Sequence, residues 1–199
     1  MEFYKYHSLG NDYLVFDCQK NKETLNQEKI SKICNRNFGI GADGIVAGPY
    51  MDGEKMYVKV YNADGSEAEQ GGNAIRIFAH YLKVTGAMQK ERFLLYTKSG
   101  EVELRYLNRE GNRIQMSMGQ LSFSSRRLGL TGPEREAVHE YFNFGGEEYD
   151  CTCVSIGNPP LCYDYGRNFQ RKGVPYREVF RRCGLFSGEN KHPDCQNFG

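Results

Sequence analysis

The sequence lacks a surplus of charge of either sign. It carries 26 Lys and Arg residues against 25 Asp and Glu residues, which gives a formal net charge of +1. Such a balance provides no broad electrostatic footprint for nucleic acid or for an anionic membrane surface. We therefore expect neither nucleic acid nor a membrane among the partners of this protein.

Long apolar runs are also absent. No stretch of the 199 residues is apolar for long enough to cross a bilayer, and residues 1–20 lack the layout of a secretory signal peptide. We expect a soluble protein of the cytoplasm. A chain of this length forms one large domain or two small ones, and either can bury a hydrophobic core.

Paired cysteine motifs are missing as well. The 7 cysteines are scattered, and no Cys-x-x-Cys pair or Cys/His cluster of the kind that binds zinc occurs among them. Cys151 and Cys153 alternate as two residues on the same face of a strand do. We expect reduced and mostly buried thiols.

The local sequence patterns predict a mixture of strands and helices. Runs of aromatic and β-branched residues predict strands at residues 3–7, 13–16, 56–61, 93–97, 102–107, 114–118 and 149–156. Helical spacing of apolar residues predicts short helices over residues 28–34 and 175–183. A longer helix, from about Asn73 to about Thr85, has apolar residues on most of its circumference. Such a helix is buried on several sides, as a sheet wrapped around it would require.

The segment that leads into this long helix is the most informative part of the sequence. Gly71 and Gly72 leave room for backbone N–H groups to approach a ligand, and Asn73 can cap the helix. The free N–H groups and partial positive charge of a helix start favour a carboxylate. A tight turn with a helix cap is the structural alternative, and this fragment alone favours it. Asn11 and Asn62 stand in predicted loops that can converge on the same place.

A glycine-rich loop at residues 39–44, GIGADG, suggests a nucleotide site only weakly. It has neither the lysine of a P-loop nor the full Gly-x-Gly-x-x-Gly pattern of dinucleotide-binding folds. We therefore set nucleotide binding aside.

Read together and in order, several segments resemble the motifs of diaminopimelate epimerases. They are residues 7–13 (HSLGNDY), 38–44 (FGIGADG), 62–68 (NADGSEA) with the continuation 72–76 (GNAIR), and 153–159 (CVSIGNP). The resemblance implies an α/β (α+β) fold with two pseudo-symmetric halves, in each of which a curved, mostly antiparallel sheet wraps a central helix. We place the boundary in the polar stretch at residues 122–136. This gives an N-terminal domain at residues 1–119 and a partial, incomplete C-terminal domain at residues 120–199.

The same resemblance implies an isomerase that uses no cofactor and no metal. Family enzymes invert an amino-acid α-carbon with two cysteines, one removing a proton as thiolate and the other delivering a proton. The implied reaction converts LL- to meso-diaminopimelate in lysine and cell-wall precursor biosynthesis. The implied partners are a small amino-acid substrate and a second copy of the chain in a homodimer. The implied substrate-binding residues are Asn11, Asn62, Gly72, Asn73, Asn158 and Asn197.

The sequence departs from the family pattern at catalytic positions. Gly71 occupies the position of the first catalytic cysteine, and Pro160 that of a histidine near the thiols. The later motif that carries the second cysteine does not appear before Gly199. No catalytic residue is intact, so we expect an inactive or impaired epimerase. The alternatives are a non-catalytic relative that binds an amino acid and a non-functional gene fragment.

Overall fold

The structure is a computed structural model that describes residues 1–68, 71–144, 147–155 and 161–164. The strands of this part of the chain are β1 (Tyr4–Ser8), β2 (Asn11–Asp17), β3 (Gly44–Asp52), β4 (Lys55–Asn62), β5 (Arg92–Thr97), β6 (Gly100–Tyr106), β7 (Ile114–Met116), β8 (Glu140–Phe144), β9 (Glu147–Val154) and β10 (Leu161–Asp164). Its helices are α1 (Gln27–Cys34) and α2 (Gly72–Val84).

The chain divides into two compact units, Met1–Met118 and Gly119–Gly199. That residues 1–119 and 120–199 are separate epimerase-like domains stays a prediction. Within the described residues, neither helix is long and apolar enough to cross a membrane.

The first unit is built on a seven-stranded sheet in the order β1 to β7. Two neighbouring pairs, β2 with β3 and β4 with β5, are parallel, and the other four pairs are antiparallel. Parallel neighbours need a crossover connection, and α1 and α2 supply one each.

The sheet curls around α2, which contacts both edge strands, β1 and β7, as well as β2, β3 and β4. A flat sheet of this strand number would be roughly 29 Å wide at ~4.8 Å between strands. A helix about 10 Å across reaches both edges of such a sheet only if the sheet wraps it. The expected α+β fold, with a mostly antiparallel sheet around a central helix, is confirmed.

The burial of α2 matches its apolar sequence pattern. The buried side chains of the helix are Ala74, Ile75, Ile77, Phe78, Ala79, Tyr81 and Leu82. The helix ends where predicted, because Gly86 adopts a φ of +77° and its N–H donates to the carbonyl of Lys83.

Strand β2 is buried on both faces. Successive side chains of a strand point to opposite faces of the sheet. Tyr13 and Val15 accordingly join the core cluster around α2, whereas Leu14 and Phe16 join a second cluster with Ile30 of α1. Strand β2 therefore contributes side chains to the core clusters of both helices.

The second unit contains a three-stranded antiparallel sheet in the order β10-β9-β8. The polar stretch at residues 122–136 is not a bare linker, because Leu128 and Leu130 within it are buried. The predicted helix at residues 175–183 lies outside the described residues.

The cysteines follow the expectation only in part. Cys18 and Cys34 are free thiols, and Cys34 and Cys151 are buried. Cys153 is disulfide-bonded. The expectation of reduced thiols is therefore wrong for Cys153.

Candidate functional site

Several of the predicted site residues lie at one end of the seven-stranded sheet. Tyr13, Gly44 and Asn62 stand opposite one another on β2, β3 and β4, in a single row across the sheet. The first two of these strands begin near this row, and β4 ends at it. Because α2 starts against Val60 of β4, the helix start belongs to the same end of the sheet.

Helix α2 begins without a side-chain cap. Gly71 is the N-cap residue, and its carbonyl accepts a hydrogen bond of 2.8 Å from the N–H of Ile75. No acidic residue stands in the first turn. Within the described part of the chain, the first N–H groups of α2 are therefore donors left for a ligand, and the helix dipole favours an anion there.

The prediction that Asn73 caps this helix is wrong. Asn73 stands inside the first turn, and its side chain turns toward β2. Its Nδ2 donates to Oδ1 of Asn11 over 3.2 Å. The structure therefore brings Asn11 and Asn73 together, as the sequence predicted, but through a contact between their side chains.

Two charged residues extend this contact at its ends. The Nδ2 of Asn11 donates to Oδ2 of Asp43 over 2.7 Å. On the other side, the guanidinium of Arg76 donates to Oδ1 of Asn73. Neither Asp43 nor Arg76 was predicted from the sequence to be a site residue, although each stands within one of the quoted motifs.

A cluster of charges supports the β2 end of this arrangement. The Arg36 guanidinium lies 2.6 Å from Asp12 and 2.7 Å from Asp43, and Lys5 lies 3.1 Å from Asp12. Burial alone would raise the pKa of Asp12, but hydrogen bonds from Arg36 and Lys5 outweigh it and lower that pKa to about 2. The Asp12 carboxylate is therefore charged at neutral pH and paired with Arg36 and Lys5.

Asn62 reaches the same end of the sheet but does not join the chain of hydrogen bonds. Its Nδ2 donates to Oγ of Ser66 over 3.0 Å, and the Ser66 hydroxyl donates to Asp64 over 2.6 Å. In the described residues, no hydrogen bond links the Asn62 side chain to Asn11 or Asn73.

The space beside Gly72 is lined by two methionines and by the Arg76 guanidinium, and no thiol is among these neighbours in the described residues. A Cβ on Gly72 would lie 3.2 Å from Cε of Met116, 3.6 Å from a guanidinium nitrogen of Arg76 and 3.7 Å from Sδ of Met118. Cys34 is buried in the cluster under α1, and burial raises its pKa to about 11. Cys34 is therefore a packing residue and not a substitute for the thiolate missing at Gly71.

Three residues that were singled out from the sequence, Asn158, Pro160 and Asn197, lie outside the described residues. Across the ranges that the structure describes, no group of three His, Cys, Asp or Glu side chains could hold a metal ion.

The loop at residues 39–44 needs small residues for packing, since a Cβ on Gly44 would lie 2.1 Å from the Tyr61 carbonyl oxygen.

Comparison with known protein sequences gives one family. The family model described as diaminopimelate epimerase matches residues 3–124. "Diaminopimelate epimerase 2" of Nostoc sp. is 42% identical over 160 residues, covering 80% of this chain and 56% of the relative. A diaminopimelate epimerase of Pelotomaculum thermopropionicum is 36% identical over 165 residues, covering 80% and 58%. The chain thus spans somewhat more than half the length of these relatives.

Comparison with solved structures supports the fold alone. A Bacillus anthracis phenazine biosynthesis protein of the PhzF family superposes with a TM-score of 0.51 at 16% identity, over 81% of this chain and 53% of that one. A predicted epimerase from Pseudomonas aeruginosa gives a TM-score of 0.50 at 16% identity, over 79% and 56%.

Proposed function

The chain belongs to the diaminopimelate epimerase family, and we propose that it carries a diaminopimelate epimerase-type site that binds an amino acid without inverting it. Asn11, Gly72 and Asn73 hold the substrate carboxylate, and Asn62 contacts the substrate from the end of β4. Asn158 and Asn197 are the further proposed ligands. The substrate is diaminopimelate, and the setting is lysine and cell-wall precursor biosynthesis in the cytoplasm.

The observation that carries this proposal is the start of α2 beside the Asn11–Asn73 pair. The helix offers backbone N–H donors and a partial positive charge, and within the described residues neither a side-chain cap nor an acidic side chain of its first turn competes for them. The two half-buried amides add donors of their own next to the helix start. An amino-acid carboxylate, which only accepts hydrogen bonds, suits such a donor set.

The lack of inversion follows from the chemistry of the α-carbon. Inversion removes the α-proton from one face and returns a proton to the opposite face, so a base and an acid must stand on the two sides. Glycine carries no group that can move a proton, and Gly71 stands where the family has its first catalytic cysteine. Bound substrate therefore keeps both its α-proton and its configuration.

Isotope exchange and ligand binding together test the proposal. The purified chain is incubated with LL-diaminopimelate in heavy water. Mass spectrometry of the recovered substrate then detects α-deuterium, and chiral chromatography detects the meso form. We expect neither, together with binding in calorimetry and a ligand-dependent rise in melting temperature. The Asn73→Ala variant should lose the binding, whereas Asn108→Ala, in the exposed loop between β6 and β7, should retain it.

Two outcomes would contradict the proposal. Formation of the meso isomer by the unmodified chain would mean that another pair of residues moves the protons. Absence of any binding, at ligand concentrations that saturate an active relative, would remove the proposed site altogether.

A further inference from the structure

The hydrogen bonds from Arg76 through Asn73 and Asn11 to Asp43 all run in one direction. Arg76 donates to Oδ1 of Asn73, Nδ2 of Asn73 donates to Oδ1 of Asn11, and Nδ2 of Asn11 donates to Asp43. A guanidinium can only donate and an ionised carboxylate can only accept. The two charged ends therefore permit a single orientation of both amides.

Rotating either side-chain amide by 180° would break this donor-to-acceptor sequence at a charged residue. A rotated Asn11 would set its oxygen against the Asp43 carboxylate, and a rotated Asn73 would set its nitrogen against the Arg76 guanidinium. Hydrogen bonds to charged groups are roughly twice as strong as those between neutral groups, so the charged ends dominate the choice of orientation.

The orientation decides what the site offers to a ligand. Each Nδ2 carries two hydrogens and uses one of them in the chain. We propose that Asp43 and Arg76 are positioning residues, which hold the second N–H of both amides available beside the start of α2. The site then recognises a carboxylate and rejects an ammonium group. This inference rests on the proposed function, because it assigns the polarity of the same site.

Asp43 is itself held by three partners. Its Oδ1 accepts from Arg36 over 2.7 Å, and its Oδ2 accepts from Asn11 over 2.7 Å and from the backbone N–H of Asp12 over 3.0 Å. The Asp12 side chain shares Arg36 with Asp43, and no hydrogen bond joins it to the Asn11 amide in the described residues. Asp12→Asn is therefore a control that removes the same charge from the same cluster.

Nuclear magnetic resonance tests the orientation without any ligand. Asp43→Asn replaces an acceptor that cannot donate by an amide that can. We expect the side-chain Nδ2 signals of Asn11 to shift and their exchange with water to accelerate more than tenfold in Asp43→Asn. Asp12→Asn should leave them near their wild-type values. Unchanged Asn11 signals in Asp43→Asn, or equal changes in both variants, would overturn the proposal.

Binding of two simple probes tests the consequence. Pimelate carries two carboxylates and no amine, and 1,5-diaminopentane carries two amines and no carboxylate. We expect the wild-type chain to bind pimelate and not the diamine. Asp43→Asn should weaken pimelate binding about tenfold, or ~1.4 kcal/mol, while Asp12→Asn stays within about twofold. Equal losses in the two variants would indicate a merely structural role and overturn the proposal.

These measurements separate the inference from the function on which it rests. If LL-diaminopimelate does not bind but pimelate binding still depends on Asp43, the proposed substrate is wrong and the positioning role stands. If LL-diaminopimelate binds equally well to Asp43→Asn and to the wild type, the positioning role is wrong. Should Asp43→Asn fail to fold, variants of Arg76 supply the same test. Arg76→Lys keeps a donor and should retain both the Asn73 side-chain signals and pimelate binding. Arg76→Glu removes the donor and should lose both.

Discussion

The Cγ1 methyl of Val60 lies 2.8 Å from the point at which a Cβ on Gly71 would stand. Real Cβ atoms essentially never show a contact shorter than 3.0 Å. Val60 is only 4% exposed within the core cluster around α2, so it has little room to give way. The φ of Gly71 is −148°, which lies outside the left-handed region that favours glycine. Packing against Val60 therefore opposes a cysteine at this position.

The first prediction is that adding a side chain at this position destabilises the protein. Gly71→Ala and Gly71→Cys should each lower the free energy of unfolding by about 1–3 kcal/mol, the usual range for overpacking a core. Denaturant unfolding measures this loss. Gly72→Ala is the matched control and should cost less, because its nearest neighbour, 3.2 Å away, is the flexible end of Met116.

A double-mutant cycle with Val60→Ala isolates the cause. If Val60 is the obstacle, Val60→Ala combined with Gly71→Cys should be more stable than the sum of the two single changes predicts, by about 1 kcal/mol. Additivity within about 0.3 kcal/mol would show that the loss arises elsewhere.

The second prediction concerns acid stability. The pKa of Asp12 is about 2 in the folded protein against an ordinary value of 3.8. A depressed folded-state pKa contributes stability above pH 4, and that contribution is lost as the pH falls toward 2. We expect the free energy of unfolding of the wild type to exceed that of Asp12→Asn by about 1–2 kcal/mol at pH 6. The difference is no larger because the Arg36 partner is partly exposed to solvent. Urea unfolding at pH 6, 4 and 2.5 should show this difference shrinking, and a difference that stays constant would contradict the assignment.

The third prediction concerns a polar contact at the far end of α2. The Tyr81 hydroxyl donates a hydrogen bond of 2.6 Å to the carboxylate of Asp17, which is only 6% exposed. Tyr81→Phe leaves that carboxylate short of a partner and should cost about 1–3 kcal/mol. Tyr6→Phe is the control, because Tyr6 packs against the same core cluster and is more exposed. Equal losses for the two variants would show that the Asp17 contact adds nothing to stability.

The sequence predicted the elements of the first unit whose patterns are regular. Helix α2 was found because its apolar residues repeat with the helical period on most sides. Strand β3 was missed because Gly48 and Pro49 interrupt its apolar run, and its pairing with β4 shifts register between Ala47 and Tyr50. The sequence also placed Asn11 in a loop, whereas Asn11 already pairs with Ser8 as the first residue of β2.

The sequence predicted that Asn11 and Asn73 lie near one another, but it did not predict their contacts. Asn73 was assigned as a cap by its place at the helix start, yet its partner Asn11 stands 62 residues away. Asp43 meets Asn11 only because β2 and β3 pair in parallel, and no local rule contains that register. Asn62 was expected to converge on the same contacts, but Ser66, four residues on, takes its amide.

The last prediction asks whether the start of α2 can still activate a thiol. A helix N-terminus stabilises a thiolate, and a helix C-terminus destabilises one. In a Val60→Ala background, Gly71→Cys and Thr85→Cys place a thiol at the N-cap and the C-cap of the same helix. Arg76 follows position 71 by five residues and Lys83 precedes position 85 by two, so a basic residue stands close in sequence to each introduced thiol. The rate of iodoacetamide alkylation at each introduced site is followed against pH by peptide mass spectrometry. We expect the thiol at position 71 to titrate about one pKa unit below the thiol at position 85. Equal midpoints would mean that the first turn of α2 has lost the electrostatic character that carboxylate binding requires.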